Sequence, residues 1–142
     1  MARAMSDEER RTFLMEGTRT GKLATVRADG RPHIAPIWFV LDGDTIVFNT
    51  GASTVKGKNI QRDPRVTLCI DDERPPFAFV IIEGTAEIDA DLGRSLTWAT
   101  RIAGRYMGVD RADEFGRRNA VAGELLVRVT PTRMSAESGI SD

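Results

Sequence analysis

The chain has 142 residues, 41% hydrophobic and 29% charged, a length that suits one domain and buries a core without disulfide or metal staples. Its 20 Lys and Arg against 21 Asp and Glu leave a net charge of -1, which speaks against a dedicated nucleic-acid binder. One cysteine, Cys69, excludes an internal disulfide framework, one histidine, His33, excludes a histidine-rich metal site, and no apolar window is long enough to span a membrane.

Met1 to Arg11 is charged with no apolar core behind it, so no secretory signal is expected and a cytoplasmic single domain over residues 1–142 is. Ser6 with Glu9 three residues on forms a capping box, and Phe13, Leu14 and the stop at Gly17 complete a first helix. Lys22–Ala28 and His33–Leu41 read as strands joined by the hairpin dipeptide Asp29-Gly30. A second turn, Asp42-Gly43-Asp44, leads into a strand at Thr45–Thr50, and Val66–Asp72 alternates as a further strand. Ala78–Ile88 is the longest strand candidate, and Glu124–Thr130 is the last. Between them, Leu92, Leu96, Ala99, Ile102, Ala103 and Tyr106 recur at helical spacing up to Gly108, and Asp110 is placed to cap a shorter helix running to Ala122. Met134 to Asp142 reads as a loose tail. The pattern predicts a mainly β (α+β) domain, a small barrel of about six antiparallel strands with peripheral helices.

Two strands imply more than their own existence. His33–Leu41 is apolar on both faces, and Phe77–Ile88 is apolar on its even face and on the first half of its odd face (Phe77, Phe79, Ile81). A barrel has one interior, so the second apolar face needs a cover, and a second copy of the chain is the expected one; the chain's own helices are the alternative.

Thr50 to Arg65 carries the most chemistry. From Gly51 onward it sets Lys56, Lys58, Arg62 and Arg65 against the single acid Asp63, a local +3. A short helix is predicted with Ser53 or Thr54 at its N-cap and Pro64 past its end. Lysines in a first helical turn oppose the macrodipole. Free N–H groups, the Ser53 and Thr54 hydroxyls, Lys56 and Lys58 therefore converge on one anion. Gly57 weakens the helix by up to ~1 kcal/mol relative to Ala, a cost that helix formation alone would not favour. A solvated basic surface helix is the competing reading.

This stretch also carries a resemblance. Thr54-Val-Lys-Gly-Lys-Asn-Ile-Gln-Arg-Asp-Pro-Arg65, with Gly21-Lys-Leu-Ala-Thr-Val-Arg27, Asp29-Gly-Arg-Pro-His33 and Glu83-Gly-Thr-Ala86 in the same order, resembles the pyridoxamine-phosphate-oxidase-like split β-barrel flavoproteins. Within them the chain is similar to the small oxidoreductases that use coenzyme F420, a deazaflavin. The resemblance implies a homodimer with two cofactor sites built from both chains. It implies that Ser53, Thr54, Lys56, Lys58 and Asn59 hold the cofactor phosphate, that Leu23, Ala24, Thr25, Pro36, Ile37 and Trp38 line its ring, and that Thr50 and Gly51 lie by the ring edge. Phe77 and Phe79 would come from the opposite subunit. The chain lacks the basic substrate-phosphate set and C-terminal extension of true pyridoxamine-phosphate oxidases.

The function so implied is hydride transfer from reduced F420 to a small conjugated acceptor, with no catalytic residue assigned and no metal. An FMN-dependent oxidoreductase and a non-catalytic F420 carrier are the alternatives, and an anionic oligoglutamate tail would suit the basic segment with Arg31 and Lys22 nearby. His33, an isolated histidine, reads as structural or solvated, Cys69 as half-buried filler, and Asp71-Asp72-Glu73 as a solvated turn without calcium-loop spacing.

Overall fold

The computed structural model describes Met1–Asp142. In chain order the elements are β1 (Arg3–Ala4), α1 (Asp7–Met15), β2 (Gly21–Val26), β3 (Pro32–Ile37), β4 (Val40–Asp42), β5 (Thr45–Gly51), α2 (Val55–Arg62), β6 (Arg65–Asp72), β7 (Ala78–Asp89), α3 (Leu92–Met107), a 3-10 turn (Val109–Arg111), α4 (Ala112–Asn119) and β8 (Glu124–Ser138). The strands form one antiparallel sheet in the order β3-β2-β6-β7-β8-β5-β4, with β1 added to β8. No helix is long and apolar enough to cross a membrane.

Local signals set much of this. The Ser6 side chain accepts from the Glu9 amide, and the Glu9 carboxylate accepts from the Ser6 amide. Gly30 turns the β2–β3 hairpin with φ +87°, a conformation that costs glycine little. Asp91 caps α3 by accepting from the Arg94 amide at 2.8 Å.

Four expectations are corrected. His33–Leu41 is two strands, because the chain leaves β3 at Trp38-Phe39 and re-enters at the opposite edge of the sheet as β4. At the break the Phe39 amide donates to the Tyr106 hydroxyl at 3.2 Å, and the Phe39 carbonyl accepts from Arg105 at 2.7 Å. Secondly, eight strands form rather than about six. Thirdly, Met134–Ser138 is no loose tail: β8 continues to Ser138, pairing with β7 from Phe79 to Ile82 and with β1. Its polar composition hid it, since both of its partners are supplied by distant chain. Finally, Asp110 lies inside the 3-10 turn, and α4 begins at Ala112 with Arg111 at its N-cap and no side-chain cap bond.

The barrel interior is filled by Leu23, Phe39, Phe48, Leu68, Ile70, Val80 and Ile82, all fully buried. A smaller cluster, Val40, Val47, Ile102 and Leu126, lies between the outer face of β4, β5 and β8 and the helix α3. So β5 is covered on both faces by its own chain. Arg105 of α3 ties this helix down: its guanidinium donates to the carbonyls of Leu14, Gly17 and Phe39 and lies over the Phe39 and Tyr106 rings. The outer face of β3, β2, β6 and β7 has no such cover. There Ile34 is 66% exposed and Ile81 38%.

Gly84 sits at the β7–β8 bulge, where an added Cβ would lie 2.6 Å from Val129 Cγ1 and 2.7 Å from the Thr130 carbonyl oxygen. Gly84→Ala is expected to lower stability by about 1–3 kcal/mol, read as a reduced urea midpoint. Arginine partners hold the carboxyls of Glu9, Asp63 and Asp89 down to about 2. Groups depressed in this way stabilise the fold above the unfolded carboxyl range near ~4 and lose that contribution as pH falls toward 2. The melting temperature should therefore be flat from pH 7 to about 5 and drop between about 4 and 2, more gently in high salt.

Candidate functional site

α2 is held against the end of β5 by a set of short-range bonds. Thr54, at the N-cap, accepts from the Gly57 amide at 3.0 Å, donates to the Gly51 carbonyl at 2.8 Å and lies 3.1 Å from the Thr50 hydroxyl. Gln61 closes the same turn by donating to the carbonyls of Ala52 and Gly57, both at 2.9 Å. A Cβ on residue 57 would stand 2.1 Å from the Gly51 carbonyl oxygen. Packing thus requires glycine there, and the helix weakening read from the sequence has a structural cause. On its inner side, Asn59 is 4% exposed and donates to Thr25, itself 1% exposed, at 3.0 Å. Arg62 donates to Asn59 Oδ1 and to the Val26 carbonyl.

These bonds divide the predicted anion set. Thr54 and Asn59 spend their side chains on positioning α2, whereas Ser53 and Lys58 are exposed and Lys56 is half-buried. Lys56 and Lys58 make no ion pair; Lys22 makes one with Asp71 at 3.1 Å, away from α2, so it adds nothing to the basic segment. The Val55 and Lys56 amides open the helix, where no intrahelical acceptor exists.

Lys56 lines a pocket of about 240 Å³ with Pro36, Ile37, Trp38, Asn49, Ile102, Asn119 and Glu124. Three of the predicted ring-lining residues thus meet the predicted anchor. The Trp38 ring stacks on Tyr106 with centroids 4.9 Å apart and planes 4° from parallel. The Tyr106 hydroxyl donates to the Arg19 carbonyl at 2.6 Å, and burial pushes its pKa up, so it stays a neutral donor. The wall is therefore fixed from behind by α3.

The other predicted residues lie elsewhere. Leu23 is fully buried in the barrel core, and Thr50 is 4% exposed. Ala24 and Thr25 border a groove of about 430 Å³ on the uncovered outer face, with Pro32, Thr67 and Thr85. Lys58 and Asn59 border a third opening with Arg27, Asp29 and Arg62. Phe77 and Phe79 lie at the opposite end of β7 from α2, since Ala78 pairs with Asp72 while Thr85 pairs with Arg65 beside the end of α2. Neither lines the α2 pocket.

Sequence reasoning missed Asn49, Tyr106, Asn119 and Glu124. Tyr106 was legible only as one apolar position of α3, and the other three are isolated polar residues that the fold alone assembles. Cys69 is half-buried, with its thiol pushed up by burial. Asp72 pairs with Arg74 and Arg19, and Asp71 with Lys22, so two of the three acids of this run are paired within the chain. A cleft of about 410 Å³ beneath α1 has the ion-paired side chains of Arg3, Glu9, Arg19 and Asp72 in its lining and shares no residue with the α2 pocket.

Comparison with known proteins places the chain. The conserved hypothetical protein Rv2991 of Mycobacterium tuberculosis is 30% identical over 96% of this chain and 87% of its own, with a TM-score of 0.84. A solved F420 reductase is 28% identical over 87% of this chain and 94% of its own, with a TM-score of 0.68. A FAD-binding protein of Mesorhizobium loti, 18% identical over 96% of both chains at a TM-score of 0.69, shares the fold. The family described as pyridoxamine 5'-phosphate oxidase matches residues 6–136, nearly the whole of the open-ended barrel described above. The chain belongs to that family, whose split-barrel fold it adopts.

Proposed function

We propose that the chain is an F420-dependent reductase that works as a homodimer, each cofactor lying between the α2 pocket of one copy and the second copy. The observation that carries this reading is the unpaired Lys56 ammonium beside the apolar Pro36–Trp38 wall, at the open first turn of α2. A phosphate there would meet Lys56, the Ser53 hydroxyl and the free Val55 and Lys56 amides, which suits a charge-assisted anchor. Trp38, backed by Tyr106, offers one flat face to a flat ring. The likeness to an F420 reductase supports the deazaflavin over FMN. When bound, that cofactor supplies the hydride. The chain's own residues hold its anionic end, orient the ring and keep water from one side of it; the acceptor is a small conjugated molecule.

A pocket of about 240 Å³ is smaller than the usual range for cofactor sites, about 300–1,000 Å³, so a second copy is needed to complete it. The bare outer face supports that arrangement. Across it run Ile34, Ala24, Thr67 and Glu83, and beside them Pro36, Lys22, Cys69 and Ile81. In the dimer, Phe77 and Phe79 of the second copy would close the pocket that they do not line in their own chain.

Lys56→Ala is expected to weaken F420 binding by about 1.5–3 kcal/mol, measured by quenching of F420 fluorescence, with a smaller loss at high salt. Unchanged affinity at low salt, or a protein that purifies yellow with tightly bound FMN, overturns the reading. Light scattering should give about twice the 15.6 kDa chain mass. Ile34→Asp puts a charge on that face without touching the core, so it should halve the mass and abolish cofactor binding while the melt stays cooperative. A folded Ile34→Asp monomer that still binds F420 contradicts the shared site.

A further inference from the structure

The α2 pocket holds two opposite charges that do not pair. Lys56 and Glu124 both line it, yet the Glu124 carboxylate makes neither a hydrogen bond nor an ion pair in the chain. Glu124 begins β8 directly opposite Gly51 in the β5–β8 register. One of its carboxylate oxygens lies 3.5 Å from where a Cβ on Gly51 would stand. The absent side chain leaves that carboxylate room at the pocket rim. The Glu124 amide donates to the Val121 carbonyl at 3.0 Å, fixing the backbone from which the side chain projects. The neighbouring amide of Asn49 is turned toward Ser95 at 3.4 Å, so it does not satisfy Glu124. An unpaired ammonium and an unpaired carboxylate in one small apolar-walled pocket suit a ligand system with an anion at one end and a hydrogen-bond donor or cation at the other.

We propose that Glu124 is a specificity-determining residue: its carboxylate selects flat conjugated acceptors that carry a cationic or N–H donor group and rejects those that carry a carboxylate. The proposal rests on the reading above for its assignment of Lys56 to the cofactor, since Lys56 is then neutralised and Glu124 is left as the only charge facing the acceptor. Selection of this kind works mainly by repulsion, because a carboxylate-bearing competitor would place two like charges in one partly desolvated pocket.

The test uses three naphthoquinones with the same ring system, one unsubstituted, one with an ammonium arm and one with a carboxylate arm. Binding is read in the cofactor-free protein as quenching of Trp38 emission, in a Lys56→Gln, Trp98→Phe background that removes the ammonium a bound cofactor would neutralise and leaves Trp38 as the sole indole. The ammonium compound should bind about tenfold or more tighter than the carboxylate compound, and Glu124→Gln should bring the two within about twofold of each other. No discrimination in the Glu124-containing protein, discrimination that survives in Glu124→Gln, or no quenching by any of the three overturns the proposal. Titration of F420 into the protein with Lys56 intact runs in parallel. Failure to bind F420 together with Glu124-dependent discrimination would overturn the cofactor assignment and leave the selectivity standing.

Discussion

The closure of the sheet follows from the two residues Trp38 and Phe39. They join β3 to β4, strands at opposite edges of the sheet, so a link of two residues forces the sheet to curl until its edges approach. Curling creates the interior that Leu23, Phe48, Leu68 and Ile82 fill. The link also leaves the ladder, and its backbone groups need other partners. Tyr106 and Arg105 supply them at Phe39. That requirement brings α3 to the barrel and sets Tyr106 behind Trp38, so the closing link of the fold and the wall of the pocket are one feature.

The first turn of α2 answers a different demand. It must lie close enough to the end of β5 for Thr54 to reach Gly51, and glycine at position 57 is the condition of that approach. With the turn so fixed, Lys56 lines the same pocket as Pro36–Trp38. The like-signed charge at a helix N-terminus is unfavourable for the helix by itself and favourable once an anion is there. On the outer face of β3, β2, β6 and β7, Ile34 and Ile81 are exposed where no helix of the chain covers the sheet.

What was legible in the sequence was local. The Ser6–Glu9 capping box, the Asp29-Gly30 turn, the Thr54 cap and the helical spacing from Leu92 to Tyr106 each act through neighbours within about four residues, and each forms as read. What was hidden depends on distant chain. Nothing near Trp38 marks the end of a strand, because the residues that capture Phe39 lie more than 60 positions away. The extension of β8 to Ser138 is polar and is held by β1 and the start of β7. In the site, Lys56 was readable from local charge, whereas Pro36, Ile37 and Trp38 were expected only through the family resemblance. Thr54 and Asn59, expected as anion ligands, also bond Gly51, Gly57 and Thr25, and those partners are fixed by the fold rather than by side-chain type.

Arg105 has a bearing on how the molecule comes apart. Its three carbonyl partners lie 66 to 91 residues away in the chain, in α1, the loop after it and the crossover. Lysine could not replace it, since a single ammonium cannot match the spread of a planar fork. The α3–α4 excursion, which looks like an appendage to the barrel, is therefore fastened to the earliest part of the chain. It has no means of melting alone while those carbonyls stay satisfied. Unfolding should be a single cooperative event, and native contacts between residues so far apart slow the folding of a chain of this size.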